Sequence, residues 1–218
     1  MDRWFDGVYL VGRYNWLQTG VWLLAHNGEA AVLEQPPTNI AGIGFGPDPA
    51  ADVERAAAQL GVRVRFLLCT HTHADHFSTR TFDALRERFP SAEPVLQSGF
   101  HKLTDSRPGV RYFDHACELS VGGEPLHLVH APKHSWTDTV VLFRGAACTG
   151  DWELNTVRTV NESVPVPARI QSCERLIWFV RQTGYRVHRV YSVHANDRRE
   201  GVDFPALIAD TRTDRKLW

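Results

Sequence analysis

Three imidazoles and a carboxylate fall within six residues in the run Thr70-His71-Thr72-His73-Ala74-Asp75-His76. Neutral imidazole nitrogen and carboxylate oxygen are the donors that a borderline cation such as zinc takes. Without an ion, the same crowding would set potential positive charges side by side. Alternate side chains of an extended backbone share a side. His71 and His73 can therefore hold one ion, while Asp75 and His76, past the bend, point elsewhere and can serve a second. Four local donors cannot close two coordination spheres, so more must come from further along. His134 in the run His130–Ser135, Asp151 in Thr149-Gly150-Asp151 and His194 in Ser192-Val193-His194 are the candidates. His26, His101, His115 and His188 read as solvated or internally satisfied rings.

These groups need elements that end at the right places. Val8–Val11, Val21–Leu24 and Ala30–Leu33 are short β-favouring runs broken by Gly and Asn turn signals. The Pro- and Gly-rich stretch Gln35–Pro49 reads as a loop. Helices fit Asp52–Leu60, stopped by Gly61, then Thr79–Phe89, stopped by Pro90, and Gln171–Thr183, stopped by Gly184. Further strands fit Val64–Cys69, Val95–Leu96, Leu126–His130, Val140–Phe143, Ala146–Cys148 and Val187–Val193. Strands first, then strands mixed with helices, give an α/β layered domain with helices on sheet faces. The cluster 71–76, Asp151 and His194 each follow a strand, where a rigid scaffold presents chemical groups.

Composition narrows the class. The 218 residues suit one domain over 1–218. With 24 basic against 25 acidic residues the net charge is −1, so no large positive field is available for nucleic acid or an anionic membrane. No apolar run approaches the roughly 20 residues of a membrane helix. Met1–Gly7 lack a basic start followed by an apolar segment, so no signal peptide is expected. Cys69, Cys117, Cys148 and Cys173 form no CxxC pair and read as reduced thiols of a cytoplasmic protein.

HTHADH, then APKHS, TGD and SVH in that order, resemble the metallo-β-lactamase superfamily over about residues 7 to 200. The resemblance implies a four-layer αβ/βα sandwich with a metal site at one end of two sheets. It assigns His71, His73 and His134 to a first ion, Asp75, His76 and His194 to a second, and Asp151 to both. His130 would support the site without being a ligand. The chain departs from the family at Lys133, where Gly is usual, and at Ser135-Trp136-Thr137-Asp138. Glu34-Gln35-Pro36 stands where Asp-x-Gly is common, so Glu34 would take over the supporting role of that Asp.

The common zinc β-lactamases carry Cys where this chain has Asp151, and another lactamase kind lacks a bridging carboxylate. The diiron flavoprotein branch has Glu in place of the second His, and the RNA-processing branch adds an arm and a basic surface. What remains is similar to the glyoxalase-II, lactonase and thioesterase-like branch, without the long C-terminal helical domain of glyoxalase II. The implied function is a binuclear metal-dependent hydrolase that turns a metal-bridging hydroxide on an ester, thioester or lactone. The ions would be two divalent metals, zinc in the first place with Mn2+ or Fe2+ as alternatives. Asp75 would be the catalytic carboxylate that handles the proton. A mononuclear iron sulfur dioxygenase of the same fold, or a phosphodiesterase, is the alternative. No G-x-S-x-G points to a serine nucleophile.

Substrate contacts are expected from two rims. The glycine-flanked aromatic loop 12–20 offers Tyr14 and Trp16 as a lid over an apolar acyl group, unless its tip packs on the protein's own body. In the stretch 151–168, Arg158, with Arg169 just beyond it, offers a partner for a substrate carboxylate. The expected partner is a small molecule, not nucleic acid or membrane, and a homodimer stays open.

Overall fold

The run Thr19–His26 is buried at seven of its eight positions, which only a strand covered on both faces can be. The computed structural model describes residues 1–38, 47–105, 107–161 and 163–213, and it shows what covers those faces. The chain opens with β1 (Asp2–Phe5), β2 (Val8–Tyr14), β3 (Thr19–His26) and β4 (Glu29–Leu33). Then come α1 (Pro49–Leu60), β5 (Arg63–Leu68), α2 (Thr79–Arg88), β6 (Glu93–Gln97), the short α3 (His101–Thr104) and β7 (Arg111–Phe113). The second half runs β8 (Ala116–Val121), β9 (Glu124–His130), β10 (Thr139–Phe143), β11 (Ala146–Cys148), α4 (Val166–Thr183), β12 (Arg189–Tyr191), β13 (Arg198–Glu200) and α5 (Phe204–Thr213).

Two mixed sheets result, β1 to β7 in sequence order and β13-β12-β11-β10-β9-β8. Their inner faces meet. Trp22, Leu24, Leu33 and Leu68 of the first sheet pack on Leu128, Val141, Phe143 and Tyr191 of the second. The alternate residues of the same strands face helices. Val21, Leu23, Val32 and Leu67 pack under Val53, Ala57 and Leu85 of α1 and α2. Val140, Leu142 and Val190 pack under Cys173, Leu176 and Ile208 of α4 and α5. Each fully buried side chain of this kind contributes about 1.5–3 kcal/mol. Period two with both faces apolar is thus the signature of a strand between a sheet and a helix, and the layering is αβ/βα.

Local chemistry sets the boundaries. Asp48 caps α1 by accepting from the Ala50 N–H at 3.0 Å, and Pro49 fills the first turn, so α1 begins three residues before Asp52. Likewise α4 starts at Val166, with Pro167 in its first turn, not at Gln171. The strand expected over Val187–Val193 is shorter, Arg189–Tyr191. The edge strands β1, β7, β8 and β13 and the helix α5 were not anticipated. The Arg198-Arg199-Glu200 strand has no apolar residue and exists through its ladder with β12. Part of the loop expected over Gln35–Pro49 lies outside the described residues. Among the described residues no helix is long and apolar enough to cross a membrane.

Candidate metal centre

Every singled-out donor follows a strand end on one edge of the sandwich. β5 feeds the run 71–76, β9 feeds His134, β11 feeds Asp151 and β12 feeds His194. The two sheets are stitched together beside the site. The Thr139 N–H donates to the Thr70 carbonyl at 2.9 Å. The Val193 carbonyl, next to His194, accepts from the Gly20 N–H and from the Trp22 indole, each at 3.1 Å. A Cβ at Gly20 would stand 2.5 Å from that carbonyl, so this crossing requires glycine.

The donors form two groups. Nε2 of His71 and Nε2 of His134 each lie 3.1 Å from Nδ1 of His73. His76 Nε2 lies 3.1 Å from Asp75 Oδ2 and 3.2 Å from Asp151 Oδ2, and His194 Nε2 lies 3.2 Å from Asp151 Oδ1. Within each group the donor atoms all lie within 4.8 Å of one another. Asp151 reaches both groups, because its Oδ2 is also 3.8 Å from His71 Nε2 and 3.6 Å from His134 Nε2.

The far side of four of the five rings is engaged, and His194 Nδ1 is buried without a partner. His71 Nδ1 is 3.1 Å from Thr70 Oγ1, His134 Nδ1 is 3.2 Å from Thr159 Oγ1, and His73 Nε2 is 3.2 Å from the Asn161 amide. His76 Nδ1 is 3.2 Å from Glu34 Oε2. Where the outer nitrogen faces an oxygen and carries the proton, as the partners of His71, His134 and His76 allow, the ring turns a lone pair inward. Two nitrogens about 2.05 Å from a tetrahedral zinc sit about 3.3 Å apart, close to the 3.1 Å observed here. Two inward atoms, His76 Nε2 and Asp151 Oδ1, are buried without a hydrogen-bond partner. A cation removes that deficit, so these residues fit metal ions.

Electrostatics divides the groups. Burial holds His71 and His73 below the usual histidine range and takes His134 down to about 4, so these rings are neutral donors. Burial also pushes His76 downward, but the carboxylates of Asp151, Asp75 and Glu34 around it outweigh that and raise it well above that range. The second group therefore concentrates negative charge where a dication would sit.

Support comes from residues whose spacing gave little signal. Glu34 is buried at positive φ, accepts from the Thr70 N–H at 2.8 Å and reaches His76, which is the supporting role expected of it. The Asp138 carboxylate accepts the N–H groups of Lys133, His134 and Ser135 at 2.9, 2.6 and 2.8 Å and so sets the turn that presents His134. The Ser-Trp-Thr-Asp sequence of that turn was its only signal. Lys133 is 0% exposed, its amine donating to the Arg158 carbonyl at 2.9 Å, and burial takes it down to about 8. Arg169 is likewise buried and donates to the carbonyls of Val164 and Val157. Two buried cations thus hold a strap, residues 156–161, whose Thr159 and Asn161 contact His134 and His73.

Several expectations need correction. Tyr14 is 2% exposed, donates its hydroxyl to Asp52 at 2.8 Å and packs with Val21, Leu23 and Val53 under α1, away from the metal site. Arg169 supports the strap and is closed to substrate. Trp16 does stand out at 70% exposure, on a turn tied to the site by the Asn15 amide, which donates to the Asp75 carbonyl at 3.0 Å. Arg158 is exposed on the strap. His130 Nε2 lies 2.8 Å from the Trp136 carbonyl and belongs to neither donor group.

No protein-family model matches the chain, and no curated protein matches it either. The likeness lies in three dimensions. A metallo-β-lactamase family protein from Thermus thermophilus superposes with a TM-score of 0.63 at 16% identity, covering 99% of this chain and 81% of the other. The chain has the metallo-β-lactamase fold. A B3 metallo-β-lactamase with an active-site glutamic acid shares this metallo-β-lactamase fold at TM-score 0.66 and 14% identity, with 99% and 88% covered. ETHE1 from Myxococcus xanthus does so at 0.62 and 20%, with 90% and 82% covered.

Proposed function

We propose that this chain is a metal-dependent hydrolase of the metallo-β-lactamase superfamily that cleaves an ester, thioester or lactone. It uses two divalent ions, zinc in the first place. His71, His73 and His134 would hold one, Asp75, His76 and His194 would hold the other, and Asp151 would serve both. The observation that carries this reading is the reach of the Asp151 carboxylate to both donor groups.

When bound, such ions would make a water ionise near neutral pH and would polarise the scissile carbonyl. The chain's own residues do the rest. Asp151 offsets the repulsion between two dications. Asp75 is steadied by the Thr19 hydroxyl, which donates to its Oδ2 at 3.4 Å, and it takes the proton lost by the attacking water. The water oxygen bonds to the acyl carbon, the acyl–oxygen or acyl–sulfur bond breaks, and that proton passes to the leaving group. The substrate is a small molecule. Free Cys69, Cys117, Cys148 and Cys173 suit a reducing, cytoplasmic setting.

The test is metal content by mass spectrometry on protein purified with added metal, followed by a screen of p-nitrophenyl esters, lactones, thioesters and phosphodiesters. Two ions per chain and turnover of a carboxylic ester, thioester or lactone are expected. A single iron with oxygen consumption would replace this reading by the sulfur dioxygenase, and phosphodiester cleavage alone by the phosphodiesterase.

A further inference from the structure

A cleft of about 440 Å³ opens on His134, Asp151 and His194, and its two sides differ in chemistry. On the strap side stands Val160, between Thr159, which contacts His134, and Asn161, which contacts His73. Val160 is 83% exposed, although no packing demands an apolar residue there. It has company. Of the eight large hydrophobic side chains exposed among the described residues, Trp16, Leu17, Trp136 and Val160 lie on loops anchored to the donor groups. The first two follow Asn15, which is bonded to Asp75. Trp136 precedes Thr137, whose hydroxyl accepts from the Thr72 N–H at 3.0 Å between His71 and His73. Of these four, Val160 alone lines the cleft, and with Trp152 and Leu154 it gives that cleft an apolar part suited to an apolar ligand.

The opposite side is the hairpin between β12 and β13, the strand with no apolar residue. Asn196, Asp197 and Arg199 line the cleft there beside His194. The Arg199 guanidinium is held by Asp197, at 3.1 Å from Nη2 to Oδ2, and by the Asn155 side chain at 3.4 Å. With Nε and Nη2 on the Asp197 carboxylate and Nη1 on Asn155, the guanidinium is fixed in direction and keeps one N–H on each of Nη1 and Nη2 for a carboxylate.

We propose, on the hydrolase reading above, that the substrate is amphiphilic. Its apolar acyl chain lies along Val160 on the strap side, and its leaving group carries a carboxylate read by Arg199 on the hairpin side. Val160 and Arg199 are then the specificity-determining residues, and the strap and the β12–β13 hairpin are the two jaws.

The acyl arm uses p-nitrophenyl acetate, butyrate and octanoate with metal-loaded protein. kcat/KM is expected to rise about tenfold or more from acetate to octanoate. Val160→Ser should compress that ratio severalfold, while Trp178→Ala, an exposed Trp outside the cleft, should leave it as it is. The leaving-group arm compares 4-acetoxybenzoate with 4-acetoxybenzamide. The acid is expected to be the better substrate through KM, and Arg199→Met should erase the difference. A flat acyl series, or an acid preference that survives Arg199→Met, would overturn the proposal while ester turnover kept the hydrolase reading intact. Should no ester be cleaved, decanoate binding followed by calorimetry decides. Binding weakened by Val160→Ser upholds the cleft assignment, and absence of binding, or binding that Val160→Ser leaves unchanged, overturns it.

Discussion

Asp151 is the side chain on which the two donor groups converge, and its charge matters as much as its position. Two dications a few ångström apart repel strongly in a buried site, and a carboxylate between them offsets that repulsion as no neutral group can. Asp151→Asn keeps the size and removes the charge. It is expected to lose close to one ion per chain and nearly all turnover, whereas His194→Ala loosens only the second ion. Parallel metal titrations of the two variants check this, and two tightly held ions in Asp151→Asn would remove it from the bridging role. Glu34 acts one step further out. It sits at φ 78°, a conformation that costs a non-glycine residue of order 1–3 kcal/mol, and in that strained position it reaches His76 Nδ1. Glu34→Gln is expected to weaken metal affinity by about 10–100-fold with the fold retained. Competition against a chromophoric chelator measures it, and unchanged affinity would show that His76 is oriented without it.

Elements act through their ends and through what is slung between them. The strap lies over His73 and His134 because Lys133 and Arg169, both buried, hold its carbonyls from below. Lys133→Met keeps most of the volume and removes the donor to the Arg158 carbonyl. Losing that bond and relieving a buried ammonium are each worth about 1–3 kcal/mol with opposite signs. The global urea midpoint should therefore move little, while the first ion loosens by about tenfold as Thr159 and Asn161 lose their footing. Urea unfolding of metal-free protein and metal titration separate the two effects. A large fall in the midpoint with unchanged affinity would make Lys133 a packing residue only. Here the sequence was partly readable. Lys133 stood out as a departure from a familiar pattern, but nothing along the chain told that its amine turns inward to a carbonyl 25 residues away.

At the scale of the molecule, the donors come from both sheets. Residues 71–76 extend the first, while His134, Asp151 and His194 extend the second. An ion that binds only this assembled state stabilises it by RT ln(1 + [L]/Kd), about 4 kcal/mol at a thousandfold excess over Kd. Chelator should thus lower the melting temperature by several degrees, and returning zinc should restore it. Scanning calorimetry of protein shown to be metal-free makes the comparison, and coincident melting curves would mean that the ions do not clamp the sheets.

What the sequence determined by itself is what neighbours along the chain impose. HTHADH places its donors within one bend, glycine stops such as Gly61 and Gly184 end the helices, and apolar period two marks the buried strands. Some tertiary outcomes had a trace in the sequence that spacing alone could not resolve. Tyr14 sits an even number of residues from Leu10, which faces the sheet–sheet core, and plain alternation would put both on one side. A bulge between Leu10 and Gly12 shifts the register, so Tyr14 turns to α1 instead. Gly12 was the one hint of it. The all-polar strand β13, the far sides of the histidine rings and the two-sided cleft had no local signal. They depend on backbone ladders and on contacts between segments up to 88 residues apart, as between Asn161 and His73, and only packing of the two sheets brings such segments together.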